Sequence, residues 1–213
     1  MIAYVVAAIL LTSPMADAKA PEKAQAEKSA KVTSPVVGEE APTFELEMMD
    51  GSGVFDLADY RGKTVVLEWF NPACPFVVAA HEGKKGSLSK VPATYTANGI
   101  VWVAVNSTAK GKKGSTPEEN AAAKAEWKMD YPILRDPTGK VGRMYNARTT
   151  PHMFIVGPEG NLVYDGAVDN QPRGEGEGAY VNYVAQGLDE MDKGENVKTA
   201  KTKPYGCSVK YAD

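Results

Sequence analysis

Hydrophobic residues in this chain fall into short runs separated by polar segments. Two runs are almost wholly apolar, TVVLEWF at residues 64–70 and IVWVAV at residues 100–105. Strands without polar alternation are typical of a sheet that is covered on both faces. These two runs therefore predict the central strands of an α/β sheet.

Apolar and polar positions alternate in the segments that flank these runs. FELEMMDGSGVFDL contains two short alternating stretches around residues 50–53, which predicts a hairpin near the start of the domain. HMFIVG and LVYDGAV, joined by a turn at residues 158–161, predict a second hairpin. YPIL predicts a further short strand.

Helices are predicted between these strands. The clearest lies in residues 116–129, where Thr116 is the N-cap, Pro117 the first helical residue and Glu119 the partner in a capping box. The other predicted helices are residues 76–97 with a break near Gly83 and Gly86, residues 139–146, and an amphipathic final helix at residues 179–193. Strands alternating with helices predict an α/β fold, in which helices flank a central sheet with parallel members.

The first residues have the pattern of an export signal. An apolar run from Ile2 to Leu11 is followed by small residues in Ala-x-Ala patterns, although no positive charge precedes the run. We interpret residues 1–20 as a signal peptide, the alternative being a frayed apolar tail. Residues 21–34 are rich in Ala, Lys and Glu and predict a flexible linker. Residues 35–213 would then form one domain, exported to the periplasm or secreted and not inserted in a membrane.

Composition adds limits on the partners. Of 213 residues, 43% are hydrophobic and 24% are charged, which is typical of a globular domain. The net charge of −3 provides no positive field for a phosphate backbone. Nucleic acid is therefore excluded as an expected partner.

The chain has two cysteines, Cys74 and Cys207, and two histidines, His81 and His152. An even cysteine count in an exported chain allows the two cysteines to pair with each other or to act separately. The four residues are separated by 7, 71 and 55 positions, which matches no zinc-ligand pattern. We therefore expect neither a metal ion nor a cofactor.

Cys74 lies where a predicted buried strand ends and a helix begins, and Pro75 fits the first helical turn. Unpaired N–H groups at a helix start stabilise an anion, so the pKa of this cysteine should be depressed and its thiolate reactive. The alternative is an inert, buried, small hydrophobic residue. The second cysteine of a C-x-x-C motif would be residue 77, which is valine.

Several motifs then agree in order along the chain: NPACPFV, WVAVNST, the segment from YPILRDPTGK to GAVDN, and PYGCSVKY. Over about residues 36–211 the chain resembles exported bacterial redoxin-domain proteins of the AhpC/TSA (peroxiredoxin-like) and thioredoxin-like grouping. The resemblance implies a thioredoxin fold with an N-terminal β-hairpin and a central mixed sheet. It also implies thiol redox chemistry at Cys74, a cis-Pro151 beside it, and Cys207 as a recurring second cysteine.

The chain departs from two better-known patterns of that grouping. Thioredoxins carry W-C-x-x-C, and Val77 replaces the second cysteine. Typical peroxiredoxins carry P-x-x-x-T-x-x-C, and here Leu67 and Asn71 replace the proline and the threonine. Each departure argues against one specific activity and leaves the fold prediction unchanged.

Five residues are candidates for the surroundings of the cysteine. Thr150 and Pro151 would shape a substrate groove together with Pro75. Arg148 could supply a cation to the thiolate or be a surface arginine. His152 could favour the thiolate or form hydrogen bonds only to the backbone, and we favour the second interpretation. We expect His81 to be solvated on the helix.

Three roles are open for Cys207: it resolves Cys74 during turnover, it forms a structural disulfide with Cys74, or it is a free surface thiol. We favour resolution, because a structural disulfide would leave a reactive helix-start cysteine unused. The expected function is a thiol-disulfide oxidoreductase with Cys74 as the nucleophile. The alternatives are a thiol peroxidase and a non-catalytic binding module. The expected partners are a disulfide or hydroperoxide substrate and an external thiol reductant.

Overall fold

The computed structural model describes residues 34–83 and 86–212. The predicted signal peptide at residues 1–20 lies outside this part of the chain, as does all but the last residue of the predicted linker at residues 21–34. In the part that is described, no helix combines the length and the apolar character needed to cross a bilayer.

Strands and helices alternate along the domain as the sequence predicts. The strands are β1 (Glu45–Glu47), β2 (Val54–Asp56), β3 (Val65–Trp69), β4 (Val101–Asn106), β5 (Ile133–Arg135), β6 (Thr149–Thr150), β7 (His152–Val156), β8 (Leu162–Gly166) and β9 (Cys207–Ser208). The α-helices are α1 (Pro75–Glu82), α2 (Val91–Thr96), α3 (Pro117–Glu126), α4 (Lys140–Met144) and α5 (Tyr183–Asp192). Short 3-10 helices occur at Leu57–Tyr60 and Pro172–Gly174.

The central sheet is mixed, with the strand order β5-β4-β3-β7-β8. Strands β3, β4 and β5 are parallel, whereas β7 and β8 are antiparallel to their neighbours. The N-terminal hairpin of β1 and β2 is present as predicted. This arrangement confirms the predicted thioredoxin fold with its N-terminal hairpin.

Strand β3 lies in the middle of the sheet and is buried along its whole length. Successive side chains of a strand point to opposite faces. Val66 accordingly packs in one core cluster with residues of α1, α3 and α5, while Leu67 packs in a second cluster with residues of the N-terminal hairpin and α4. The two covered faces explain why this stretch of sequence lacks polar alternation.

The helix ends follow from local hydrogen bonds. Thr116 and Glu119 form the predicted capping box at the start of α3. The final helix begins at Tyr183, later than the predicted residue 179, because the Asn182 side chain accepts a hydrogen bond from the backbone N–H of Ala185 and caps the helix there.

The prediction of a solvated His81 is wrong. His81 is buried, and its Nε2 lies 3.0 Å from Oε1 of Glu68, a carboxylate on the otherwise apolar strand β3. The indole of Trp127 stacks on the imidazole with a centroid separation of 4.6 Å. A buried carboxylate needs hydrogen-bond partners, and this need draws His81 inward from α1.

Candidate active site

Cys74 is the N-cap of α1, at the carboxyl end of β3. Its side chain is 3% exposed. Pro75 is the first residue of the helix, and the backbone N–H of Cys74 donates to the carbonyl of Asn71 in the preceding turn. The thiol therefore lies at the positive end of a helix, where the backbone supplies donors to an anion.

Asn71 holds the turn that presents Cys74, a role that the sequence did not indicate. Its Oδ1 accepts from the backbone N–H of Ala73 at 2.7 Å, and its Nδ2 donates to Oγ1 of Thr108 at 2.9 Å and to the carbonyl of Lys113 at 3.1 Å. Asn71 is 6% exposed. Its amide is therefore committed to the protein and has no free donor to offer a substrate.

Thr150 and Pro151 form the opposite wall of the site. The Thr150–Pro151 peptide bond is cis, as the family resemblance implied. Thr150 is buried, and its carbonyl oxygen lies 3.0 Å from Sγ of Cys74. Strand β7 begins directly after this proline and pairs with β3, so the sheet itself places the two walls side by side.

Cys207 lies next to Cys74 although 133 positions separate them in sequence. Strand β9 pairs with β6 in antiparallel register, with Cys207 opposite Thr150. The two sulfur atoms are 2.6 Å apart, and both cysteines are free thiols. Backbone pairing with the segment before Pro151 is therefore what brings the second thiol into the site.

The C-terminal tail, residues 195–212 of the described chain, is anchored on both sides of Cys207. Upstream, the hydroxyl of Tyr205 donates to Oδ1 of Asp169 at 2.8 Å. Downstream, the hydroxyl of Tyr211 donates to the carbonyl of Ala147 at 2.7 Å. These two contacts, together with the pairing of β9 with β6, hold Cys207 in position.

The two thiols have opposite pKa shifts. Burial opposes the Cys74 thiolate, but hydrogen bonds from the Cys207 thiol, the Thr150 side chain and the Val77 amide outweigh it and lower the pKa of Cys74. The Thr150 carbonyl acts the other way, because it binds only the protonated thiol. Burial and the neighbouring Cys74 raise the pKa of Cys207 to about 11. The pair is therefore polarised: Cys74 is the more acidic of the two thiols and Cys207 the less acidic.

His152 and Arg148 make their described contacts away from the sulfur atoms. The interpretation that His152 forms hydrogen bonds only to the backbone is wrong, because its Nε2 lies 2.8 Å from Oδ1 of Asp165, a carboxylate on β8. Its Nδ1 accepts from the backbone N–H of Arg148. This donor fixes the proton of a neutral ring on Nε2. Arg148 is exposed, and its carbonyl accepts from the backbone N–H of Val209 in the tail.

Metal-binding side chains do not converge at this site. Within residues 34–83 and 86–212, no group of three or more His, Cys, Asp or Glu is arranged to hold a metal ion. Val77 of α1 occupies the position of the second cysteine in a C-x-x-C motif. Its side chain is fully buried in the core.

Comparison with known proteins identifies one family and several similar structures. The Redoxin family model matches residues 36–182, more than two thirds of the chain. No curated protein matches the chain.

Two similar crystal structures cover most of the domain. A hypothetical protein from Sinorhizobium meliloti is 28% identical with a TM-score of 0.74, covering 84% of this chain and 97% of its own. An uncharacterized conserved protein from Geobacillus kaustophilus is 26% identical with a TM-score of 0.74, covering 83% of this chain and 93% of its own. The exposed lipoprotein thioredoxin of Streptococcus pneumoniae shares the fold at 23% identity and a TM-score of 0.50, covering 72% of this chain and 99% of its own.

Proposed function

This chain belongs to the Redoxin family, and on that basis we propose that it is a thiol oxidoreductase with Cys74 as the nucleophile and Cys207 as the resolving cysteine. The observation that carries the proposal is the 2.6 Å separation of the two sulfur atoms. At this separation a disulfide can form with almost no movement of the backbone.

The reaction has two steps. In the first, the Cys74 thiolate attacks one sulfur of a substrate disulfide, the substrate S–S bond breaks, and one substrate thiolate leaves. In the second, Cys207 attacks Sγ of Cys74 in the mixed disulfide, and its proton passes to the second departing thiolate. The substrate gains two electrons and the protein becomes a Cys74–Cys207 disulfide, which an external dithiol then reduces.

The surroundings of Cys74 support the order of these steps. The nucleophile should be the thiol with the lower pKa, because only the thiolate attacks. Burial and the adjacent Cys74 keep Cys207 protonated, with a pKa of about 11. Cys207 becomes a nucleophile once the negative charge on Cys74 has been consumed in the mixed disulfide.

A disulfide is the favoured substrate over a hydroperoxide. Peroxide cleavage by a thiolate needs donors that stabilise the departing oxygen. The Asn71 amide, which replaces the threonine of typical peroxiredoxins, is fully engaged with Ala73, Thr108 and Lys113. Thiol peroxidase activity is therefore the second candidate, in which a Cys74 sulfenate would replace the mixed disulfide.

The proposal is tested by trapping each step separately. The reduced protein is mixed with a small disulfide, quenched with acid and alkylated, and peptides are identified by mass spectrometry. We expect a Cys74–Cys207 disulfide in the wild type, a stable mixed disulfide at Cys74 in Cys207→Ala, and no adduct in Cys74→Ala. If Cys74 and Cys207 never link, Cys207 is not the resolving cysteine.

Two further measurements separate the remaining functions. Hydroperoxide consumption compared with disulfide reduction at equal concentrations identifies the preferred oxidant. A Cys74–Cys207 disulfide that strong dithiols do not reduce in the folded protein would instead support a structural bond in a non-catalytic binding module.

We also propose export to an oxidising compartment, with residues 1–20 as the cleaved signal, residues 21–34 as a linker and residues 35–213 as the working domain. The support is the apolar run followed by Ala-x-Ala patterns. N-terminal sequencing of the protein from fractionated cells tests this proposal, and an uncleaved cytoplasmic chain would contradict it.

A further inference from the structure

Resting on the proposed function, we propose that the oxidant at this site is a small anionic molecule, a disulfide or hydroperoxide that bears carboxylate or phosphate groups. It would bind in a cationic cleft next to Cys74 and Cys207. Two independent observations carry this inference: the charge of the cleft, and the occupation of the neighbouring strand edge by the protein's own tail.

The cleft that reaches both thiols has a volume of about 350 Å³. Such a volume fits a small molecule rather than a folded protein. Besides Cys74 and Cys207 it is lined by the three lysines Lys112, Lys113 and Lys210. The remaining lining residues are Asn71, Ala73, Thr150 and Ser208, so that within residues 34–83 and 86–212 no acidic side chain lines it.

The three lysines make this cleft positively charged in a protein whose net charge is −3. All three are exposed. Lys210 is close enough to the thiols to lower the pKa of Cys207 in opposition to burial. Lys113 also lowers the pKa of Glu119, so part of its charge is offset outside the cleft. Positive charge concentrated at a cleft attracts anions and raises their rate of encounter.

Lys112 is held in place by the tail. Its Nζ donates to the carbonyl of Tyr211 at 3.3 Å, which uses one of its three N–H groups. The backbone of Lys210 is also fixed, because its carbonyl accepts from the backbone N–H of Ala109. The ammonium of Lys112 and the backbone of Lys210 are therefore both anchored at the edge of the site.

The strand edge beside Cys74 excludes an extended polypeptide. A peptide could add to the edge of β6 by backbone hydrogen bonds, as peptides do at exposed strands. Here β9 already pairs with Thr149 and Thr150 and places Cys207 against Cys74. A protein substrate would have to displace the tail and remove the resolving thiol, whereas a small molecule needs only the open cleft.

Two disulfides that differ in charge test the proposal. The probes are 5,5′-dithiobis(2-nitrobenzoate), a dianion, and 4,4′-dithiodipyridine, which is neutral at pH 7, and stopped-flow absorbance gives their rates with the reduced protein. The readout is the rate with the anionic disulfide divided by the rate with the neutral disulfide. This ratio is then divided by the same ratio measured for a small free thiol. We expect this normalised ratio to exceed one and to fall towards one as salt is added, because salt screens exposed charges.

Lysine variants locate the effect. Coulomb's law at about 8 Å in water predicts that removing one of these charges lowers the ratio about twofold, in Lys112→Gln, Lys113→Gln or Lys210→Gln. The effect should be smallest at Lys113. The triple variant should lower the ratio about tenfold. Lys90→Gln removes an exposed lysine from another part of the chain and should leave both rates unchanged. A carboxylate-bearing hydroperoxide compared with its methyl ester provides the corresponding peroxide pair.

The outcomes separate the two proposals. If neither disulfide modifies Cys74, the proposed function fails. If the neutral disulfide reacts at Cys74 but the normalised ratio equals one in wild type and variants, the anionic substrate class alone is overturned. Faster reaction with a cysteine-containing polypeptide disulfide than with either small probe would also overturn it.

Discussion

Gly206 lies directly against the carbonyl of Thr150: a β-carbon at residue 206 would be 2.1 Å from the Thr150 oxygen. The residue also has a φ of +134°, in the region that favours glycine. The tail can therefore approach the active-site wall closely only because residue 206 has no side chain, and this approach places Cys207 beside Cys74.

Substitution of Gly206 by alanine should displace β9 from β6. We expect the intramolecular step, from mixed disulfide to Cys74–Cys207 disulfide, to slow by at least about tenfold, because the two thiols lose their alignment. The first attack by Cys74 should be slowed much less. Quenched-flow alkylation with mass spectrometry measures the two steps separately.

Gly178→Ala is the matched control for this substitution. Gly178 also has a positive φ, of +82°, but a β-carbon there would meet no atom within 4 Å. Gly178→Ala therefore places a β-carbon at a positive φ without any collision. Equal slowing of the resolving step in both variants would mean that the contact with Thr150 is unimportant.

The pKa of Cys74 should depend on the Cys207 thiol. Hydrogen bonding from Cys207 helps to lower the pKa of Cys74, so Cys207→Ala should raise it. Cys207→Ser keeps a hydroxyl donor and should give an intermediate value. The pH dependence of iodoacetamide alkylation at Cys74 measures this shift, and an identical titration in all three proteins would contradict it.

Tyr211 should act as a latch for the tail. Its hydroxyl donates to the carbonyl of Ala147, and the guanidinium of Arg143 lies 4.6 Å from its ring centre. Tyr211→Ala should loosen Cys207 and slow the resolving step several-fold through the lost positional order. Tyr211→Phe keeps the ring and should have a smaller effect. An unchanged resolving rate in Tyr211→Ala would show that pairing of β9 alone positions the thiol.

Glu68 and His81 should be strongly coupled in stability. Oε2 of Glu68 also accepts from the hydroxyl of Tyr131 at 3.1 Å, so the carboxylate is surrounded by donors in the core. His81→Leu removes one partner of a buried pair, a change that typically costs about 3–5 kcal/mol. The double variant with Glu68→Leu should recover much of this loss. Urea unfolding of the reduced proteins measures both, and additive losses would exclude the coupling.

The local elements of this protein follow from its sequence because their causes lie within a few residues. The apolar run at residues 64–70 predicts a strand buried on both faces, and Thr116 with Glu119 predicts the start of α3. The break after this strand places Cys74 at a helix start, where backbone donors favour a thiolate. Periodicity, caps and turns are short-range signals that predict each strand and helix. The order of these elements along the chain then identifies the fold class.

Only the tertiary structure decides which distant residues meet. The tail has no periodic pattern, so the sequence left open whether Cys207 resolves Cys74, forms a structural disulfide with it, or is a free surface thiol. Pairing of β9 with β6 brings Cys207 to Cys74. His81 looked solvated on a helix, yet it is buried by its hydrogen bond to Glu68. Likewise, the lysines of the cleft come from a loop and from the tail, about 100 positions apart. Contacts at such separations depend on how sheet, helices and tail pack together, and no local pattern of residues records that packing.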